Sequence, residues 1–173
     1  MAGMGSFKAS DLNKFKAELE KMERNANDFI EACAKELAAR LLAMAIKRTP
    51  VGDYSGDSYE CASGKNHKGS KVKGKVGGTL RRGWTTGKRA SAKGYAQDMT
   101  VNHYGDTYEI EIINPVEYAS YVEYGHRKVN SKGWVRGHFM MTISAQELRE
   151  KSPRILEKKI KRYMEGLNAK LNS

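Results

Sequence analysis

Apolar residues in the first third of the chain recur in alternating steps of three and four, which is a heptad pattern. The series is Leu12, Phe15, Leu19, Met22, Ala26, Phe29, Cys33, Leu37, Leu41, Met44 and Ala45. The pattern predicts one long α-helix over residues 10–48, with Ser10 as its N-cap and Asp11 at the positive end of its dipole. Pro50 is expected to end the helix, because the residue before a proline disfavours the α conformation.

A helix of this length exceeds what a small domain needs, which leaves two interpretations. It is either an ordinary core helix with a frayed start, or a helix whose first half projects and packs on another subunit. We favour the second interpretation, in which Phe15, Leu19 and Met22 are candidate contacts between subunits.

The middle of the chain has β-like patterns. Residues 108–113 (YEIEII) alternate clearly between apolar and acidic positions, whereas residues 79–86 (TLRRGWTT) and 95–103 are weaker strand candidates. A turn around Gly105 is expected to join residues 95–103 and 108–113 as a hairpin, and Pro115 is expected to stop the sheet.

Helical patterns return after the sheet. Residues 116–124 predict one or two turns closed by Gly125, residues 138–150 predict a helix, and Pro153 marks a new helix or a kink. The predicted fold class is therefore α+β: a long N-terminal helix, a small antiparallel sheet of three or four strands, and a short helix and a C-terminal helix packed on one face.

The 173 residues suggest a single domain. Residues 1–9 are predicted to be a flexible lead, and residues 10–173 a domain with a protruding N-terminal helix (10–48). Residues 52–78 are rich in Gly, Ser and Lys, and cannot bury enough apolar surface to fold alone. We interpret them as a basic loop insert.

The chain carries a formal net charge of +11, which attracts polyanions such as nucleic acid or an acidic protein face. The most unusual segment is residues 64–94, which carries ten basic residues and no acid, with Trp84 inside it and Tyr95 directly after it. We interpret Trp84 as core. Candidate contacts to DNA or to an acidic partner are Lys65, Lys68, Lys71, Lys73, Lys75, Arg81 and Arg82. The alternative is a solvated loop; no module that reads bases is apparent.

We find no pattern for catalysis, so no catalytic, cofactor-binding or metal site is predicted. The four histidines (His67, His103, His126 and His138) lack ligand spacing, and Cys33 and Cys61 read as free thiols. Glu117 and Glu123, or Glu109 and Glu111, are not marked as acid/base couples. Neither a nucleophile motif nor a phosphate-binding loop occurs, and no run is long enough to span a membrane.

Three segments in order resemble a known family. They are residues 45–51 (AIKRTPV), residues 78–84 (GTLRRGW), and residues 118–127 (YASYVEYGHR) followed by 136–141 (RGHFMM). The family is the tail-component group typified by the tenth gene product of Hong Kong 97-like phages, and the similarity covers roughly residues 12–165. Two departures are the long insert at residues 52–77 and Gly137 in place of the family's usual proline.

The resemblance implies a structural subunit without enzymatic turnover or cofactor. Its relatives complete the tail or join it to the head, which implies a homo-oligomeric, hexameric ring in a virion or phage-like tail particle assembled in the host cytoplasm. The partners implied are the tail tube or tail terminator protein on one side and a connector or neck protein on the other, with nonspecific DNA contact in the lumen and no membrane. Tyr118, Tyr121 and Tyr124, with Val122, then suit an interface, although Tyr118, Tyr121 and Val122 could equally be intradomain core.

Two other classes stay open from the sequence. One is a basic nucleic-acid-binding or DNA-processing protein, whose activity would depend on His103, His126 or His138. The other is a small basic toxin that acts on RNA, which would need a compact catalytic His/Glu/Arg site.

Overall fold

Two long helices frame the fold. The computed structural model describes residues 9–52, 58–60, 66–68, 77–87, 91–128 and 132–171. The elements in chain order are α1 (Ala9–Arg48), β1 (Ser58–Glu60), β2 (Asn66–Lys68), α2 (Thr79–Gly83), α3 (Ala92–Gln97), β3 (Asn102–Tyr104), β4 (Thr107–Glu109), α4 (Ala119–Tyr124), β5 (Gly125–Arg127), β6 (Trp134–Arg136) and α5 (Met140–Leu171). The predicted α+β class and the long first helix are confirmed; of the predicted lead, residues 1–8 lie outside this description and Ala9 belongs to α1.

Helices α1 and α5 pack as an antiparallel pair. Near the end of α1, the Arg48 guanidinium donates to Ser144 Oγ at 3.1 Å, close to the start of α5. Farther along, the ring of Phe29 stacks on Tyr163 with centroids 4.2 Å apart. The contacts therefore run in opposite directions along the two helices.

The hydrophobic core is small and lies against the C-terminal half of α1. Its buried members are Ala38, Leu42, Ala45, Leu80, Trp84, Ala96 and Met140. Since the α1 members recur at helical spacing, they form one stripe, and α2, α3 and the first turn of α5 cover it. The interpretation of Trp84 as a core residue is confirmed, because only 5% of it is exposed.

The predicted sheet of three or four strands is wrong for the part of the chain that is described. The strands form three separate two-stranded antiparallel ladders, β1–β2, β3–β4 and β5–β6. Residues 79–86, predicted as a strand, form α2 and a turn, because Leu80 and Trp84 are four residues apart and both reach the core from a helix.

The predicted strand 95–103 is also mostly helical. Helix α3 occupies Ala92–Gln97, and the Ser91 hydroxyl caps it by accepting from the Gly94 N–H at 3.1 Å. Only Asn102–Tyr104 is a strand, and it forms the predicted hairpin with β4 around Gly105 (φ 59°). Pairing stops at Glu109, although Ile110 and Ile112 still pack against the core.

The C-terminal elements follow the prediction with shifted starts. Helix α4 begins at Ala119 and ends at Tyr124, and it is capped by Gly125, whose φ of 86° favours glycine. Helix α5 begins at Met140 and continues through Pro153. Pro153 has no N–H to offer the Arg149 carbonyl, and the Ser152 hydroxyl donates to that carbonyl at 3.1 Å instead.

Candidate assembly surfaces

Thr49, directly after α1, is the centre of a buried joint. Its hydroxyl donates to the Ala45 carbonyl and accepts from Trp84 Nε1, both at 2.7 Å. Its own carbonyl accepts from Arg81 Nη2 at 2.7 Å. The first two sequence segments that carried the family resemblance therefore meet here. Arg81, a candidate contact for DNA or an acidic partner, has at least one of its donors committed to this joint.

Asn114 ties the same joint to the extended segment before α4. Its amide Nδ2 donates to the Leu80 carbonyl at 2.9 Å, and its Oδ1 accepts from the Val116 N–H at 3.2 Å. A Cβ on Gly83 would lie 2.2 Å from Asn114 Oδ1. Glycine is therefore required at position 83, because the side chain of Asn114 occupies the space.

Glu123 is a buried carboxylate that caps α5. It accepts hydrogen bonds from the N–H groups of Met141 (3.0 Å) and Thr142 (2.9 Å) and from the Thr142 hydroxyl (2.8 Å). The first turn of α5 has no acidic residue of its own, so Glu123 supplies the negative charge that a helix N-terminus favours. Sequence reasoning weighed Glu123 only as half of an acid/base pair and missed this role.

Four aromatic side chains, which we call the aromatic surface, lie exposed beside this joint. Tyr118 at the N-cap of α4 is 45% exposed, Tyr121 and Tyr124 on α4 are 57% and 63% exposed, and Trp134 on β6 is 63% exposed. The alternative that Tyr118, Tyr121 and Val122 are intradomain core is therefore wrong for the two tyrosines, whereas Val122 packs against the core. Sequence reasoning missed Trp134, because it lies in a segment rich in basic residues and glycine; its Nε1 lies 2.7 Å from where a Cβ on Gly125 would be.

An open cavity of about 310 Å³ adjoins the aromatic surface. It is lined by Tyr118, Tyr121 and His126 and by both ends of the insert, Gly52 and Gly77. The His126 ring meets Tyr121 edge to face at 5.8 Å, and its buried Nδ1 finds no hydrogen-bond partner among the described residues. The cavity therefore has a mixed lining, with the Tyr118 and Tyr121 rings on one side and Arg136 and His138 among its polar residues.

The two ends of the insert touch each other. A Cβ on Gly77 would lie 2.0 Å from the Gly52 carbonyl oxygen and 2.9 Å from the Val51 side chain. Between these ends, β1 and β2 pair in an antiparallel ladder with Tyr59 opposite His67. We call the Gly52–Gly77 contact the insert junction. The insert leaves and re-enters the domain at one point.

A second set of exposed apolar side chains lies on the long helices. It comprises Leu19, Met22 and Ile30 on α1 and Ile160 and Met164 on α5, all between 41% and 60% exposed. Helical spacing places the α1 members on one flank of that helix, and Ile160 and Met164 are four residues apart. We call these five residues the helical strip. Phe15, the other candidate on α1, has a side chain outside the described set.

The structure brings together only two of the seven basic candidates. Arg82 Nη1 donates to the Gly77 carbonyl at 3.1 Å, which places Arg82 at the insert junction. Arg81 is the next residue along the chain and belongs to the Thr49 joint. Lys68 belongs to β2, but its side chain is outside the description, as are the residues Lys65, Lys71, Lys73 and Lys75.

Charged groups connect α1 to α5 along the pair. Hydrogen bonds from Arg40 and then Lys159 lower the pKa of Glu36, and those from Lys151 and then Arg48 lower the pKa of Glu147. Both carboxylates therefore stay ionised at neutral pH. Cys33 is a buried free thiol, as the sequence predicted, and burial raises its pKa; Cys61 lies outside the described residues.

The described side chains include no group of three or more His, Cys, Asp or Glu residues that could hold a metal ion. Among the same residues, no helix is long and apolar enough to cross a membrane.

Comparison with known proteins gives one family match. Residues 13–125, more than half of the chain, match the HK97-gp10-like family, described as "Bacteriophage HK97-gp10, putative tail-component". The matched range starts in α1 and ends at the first residue of β5, so it includes the Thr49 joint and α4. No match was found among curated proteins or among solved structures.

Proposed function

This chain belongs to the HK97-gp10-like family of phage tail components, and we propose that it forms a ring at the head–tail end of the tail. In this proposal the ring is a homo-hexamer that completes the tail. It binds the tail tube or the tail terminator on one side and a connector or neck protein on the other. The subunit is structural, needs no cofactor, and joins the particle in the host cytoplasm.

The observation that carries the proposal is the presence of two exposed apolar surfaces at opposite ends of α1. The aromatic surface adjoins Pro50, just after the helix ends, whereas the helical strip includes Met22. The 26 steps from Met22 to Arg48 correspond to about 39 Å along the axis. A ring subunit needs two different surfaces, because each subunit contacts one neighbour with one surface and the other neighbour with the second.

The composition of the aromatic surface suits a protein contact. Tyrosine and tryptophan combine large apolar area with a polar group, and they are enriched at interfaces. Four such side chains half exposed beside one another, next to an open cavity, differ from the single scattered apolar residues of ordinary surfaces. We propose that the aromatic surface of one subunit packs on the helical strip of the next.

The projecting start of α1 supports the same assembly. Phe29 lies opposite Tyr163 in the antiparallel pair, so the eight residues from Tyr163 to Leu171 reach back along α1 only to about Lys21. The helix before that point extends past the end of α5. We propose that this segment reaches an adjacent subunit.

The test is to remove each surface and to measure assembly. One variant replaces Tyr118, Tyr121 and Tyr124 with Ser, a second replaces Leu19 and Met22 with Glu, and Tyr104→Ser is the control, since Tyr104 is exposed on the β3–β4 hairpin. Size exclusion with light scattering and negative-stain imaging, with and without purified tail tubes, should show rings for the wild type and the control. Both surface variants should remain folded monomers.

Mixing the two variants sharpens the test. Each retains one intact surface, so an equimolar mixture should give a one-to-one dimer and no ring. Rings formed by either variant alone, or a wild type that forms no ring on its own or on tubes, would contradict the proposal.

The second candidate is a basic nucleic-acid-binding or DNA-processing protein. Residues 64–94 favour it, because they carry ten basic residues and no acid. A monomer that ignores tail tubes but binds or cuts nucleic acid would support this function in place of the ring.

A further inference from the structure

We propose that the outward face of α5 binds the phosphate backbone of duplex DNA. Five basic residues recur along that face at helical spacing. They are Lys151, Arg154, Lys158, Lys161 and Arg162, and we call them the α5 stripe. The stripe is separate from the basic insert.

The five side chains fall on one side of the helix. Their steps of three, four, three and one confine them to about 100° of its circumference at 100° per residue. All five residues are exposed. Lys151 pairs with Glu147, whereas none of the other four forms an ion pair with any residue that the structure describes.

Lys159, which lies in the middle of the same segment, shows the contrast. It faces α1, where its ammonium group pairs with Glu36 at 2.9 Å and donates to the Ala32 carbonyl at 2.9 Å. Lys159 therefore joins α5 to α1, whereas the five residues of the α5 stripe face solvent on another side of the helix. Of the acids, Glu147 and Glu165 lie on the same face before and after the stripe, and Glu150 and Glu157 lie beside it.

The stripe matches a duplex in length and in chemistry. The eleven steps from Lys151 to Arg162 span about 17 Å. One DNA strand presents a phosphate every 3.4 Å along the axis, so this length faces about five phosphates. The stripe itself contains no apolar residue, whereas a protein contact would centre on buried apolar side chains. These features favour a phosphate backbone over an acidic protein.

The inference rests on the proposed function, because a ring at the head–tail joint is a passage for DNA. Under that proposal the stripe would face the lumen, and the helical strip on the neighbouring flank of α5 would face the next subunit. The DNA contact can nevertheless be measured without any ring.

The experiment measures binding of the full chain to a random-sequence 30-base-pair duplex by fluorescence anisotropy between 50 and 200 mM KCl. The stripe variant carries Arg154→Gln, Lys158→Gln and Arg162→Gln, and glutamine keeps good helix propensity. The control carries Lys21→Gln, Arg24→Gln and Lys47→Gln, which removes the same charge from exposed positions on α1. Circular dichroism verifies that both variants keep their helices.

The stripe variant should reduce the steepness of log K against log salt by about 2 to 3, since each lost phosphate contact removes about 0.9. The control should change the slope by less than about 1. Equal slopes for the two variants, or a wild type that does not bind the duplex, would overturn the inference. Light scattering on the same variants separates this result from the ring, which should form in both.

Discussion

The two halves of α1 have the same heptad pattern but opposite surroundings. In the C-terminal half, Leu42 and Ala45 are fully buried, and Thr49 just beyond the helix is buried as well. In the N-terminal half, Leu19 and Met22 are 49% and 60% exposed. The first group is covered by α2, α3 and the start of α5, whereas Leu19 and Met22 lie near the level at which α5 ends.

The difference shows that one helix serves two purposes. Its C-terminal half holds the domain together through buried apolar contacts and short hydrogen bonds at the Thr49 joint. The middle of the helix is joined to α5 by the ion pair of Glu36 with Lys159 and by the Phe29–Tyr163 stack. In its N-terminal half, Asn27 accepts a hydrogen bond from the Tyr108 hydroxyl at 2.7 Å. Exposed apolar residues there contribute little to the isolated subunit, and the ring proposal gives them a partner.

The largest expected effect comes from the Thr49 joint. Trp84→Ala should lower the free energy of unfolding by about 3 to 5 kcal/mol, because it leaves a cavity in the core. It also removes the hydrogen bond from Nε1 to the Thr49 hydroxyl. Urea unfolding followed by circular dichroism measures the change.

Trp134→Ala is the matched control, since Trp134 is 63% exposed, and it should change stability by less than about 0.5 kcal/mol. If Trp84→Ala does not fold, Trp84→Phe keeps most of the packing and should cost about 1 to 2 kcal/mol. Similar losses for the two alanine variants would contradict the division between joint and surface.

The sequence predicted this division only in part. The heptad pattern located α1 to within one residue at its start, because helical periodicity and Pro50 are local signals. The same pattern marks which face is apolar, but not what covers it, so buried Leu42 and exposed Met22 look alike in sequence. Trp84 was recognised as core, whereas exposed Trp134 gave no signal.

The strand predictions failed for a different physical reason. In residues 79–86, β-branched and aromatic residues favoured a strand, but tertiary contacts decided the outcome. The Gly78 backbone (φ 91°) starts a helical turn, and the Arg81 and Trp84 hydrogen bonds to Thr49 hold it. The capping role of Glu123 was equally invisible, because it depends on where α5 begins in space.

The α1–α5 pair should weaken in acid, which is an effect of intermediate size. The pKa of Glu36 is lowered in the folded protein, so its stabilising contribution is present above its usual value of 4.5. That contribution is lost as the pH falls through the folded-state pKa. Glu147 acts in the same direction.

Thermal melting between pH 7 and pH 3 measures this loss. Glu36→Gln should cost less than about 1 kcal/mol at pH 7 and should flatten the dependence of Tm on pH. Glu157→Gln on the exposed side of α5 is the control and should leave the dependence as in the wild type. An unchanged profile for Glu36→Gln would show that the pair is held without this carboxylate.

The smallest expected loss of stability comes from removing the insert. Deleting residues 53–76 and joining Gly52 to Gly77 should not lower the free energy of unfolding, because the ends already touch and the shorter loop reduces the entropy cost of closure by about 2 kcal/mol at most. Gly77→Val is the matched contrast: its Cβ would lie 2.0 Å from the Gly52 carbonyl oxygen, and overpacking of this kind costs about 1 to 3 kcal/mol. Urea unfolding of both variants compares them. A single substitution at the insert junction should therefore lower the free energy of unfolding more than loss of the whole insert. The reverse order would mean that the insert is part of the folded core.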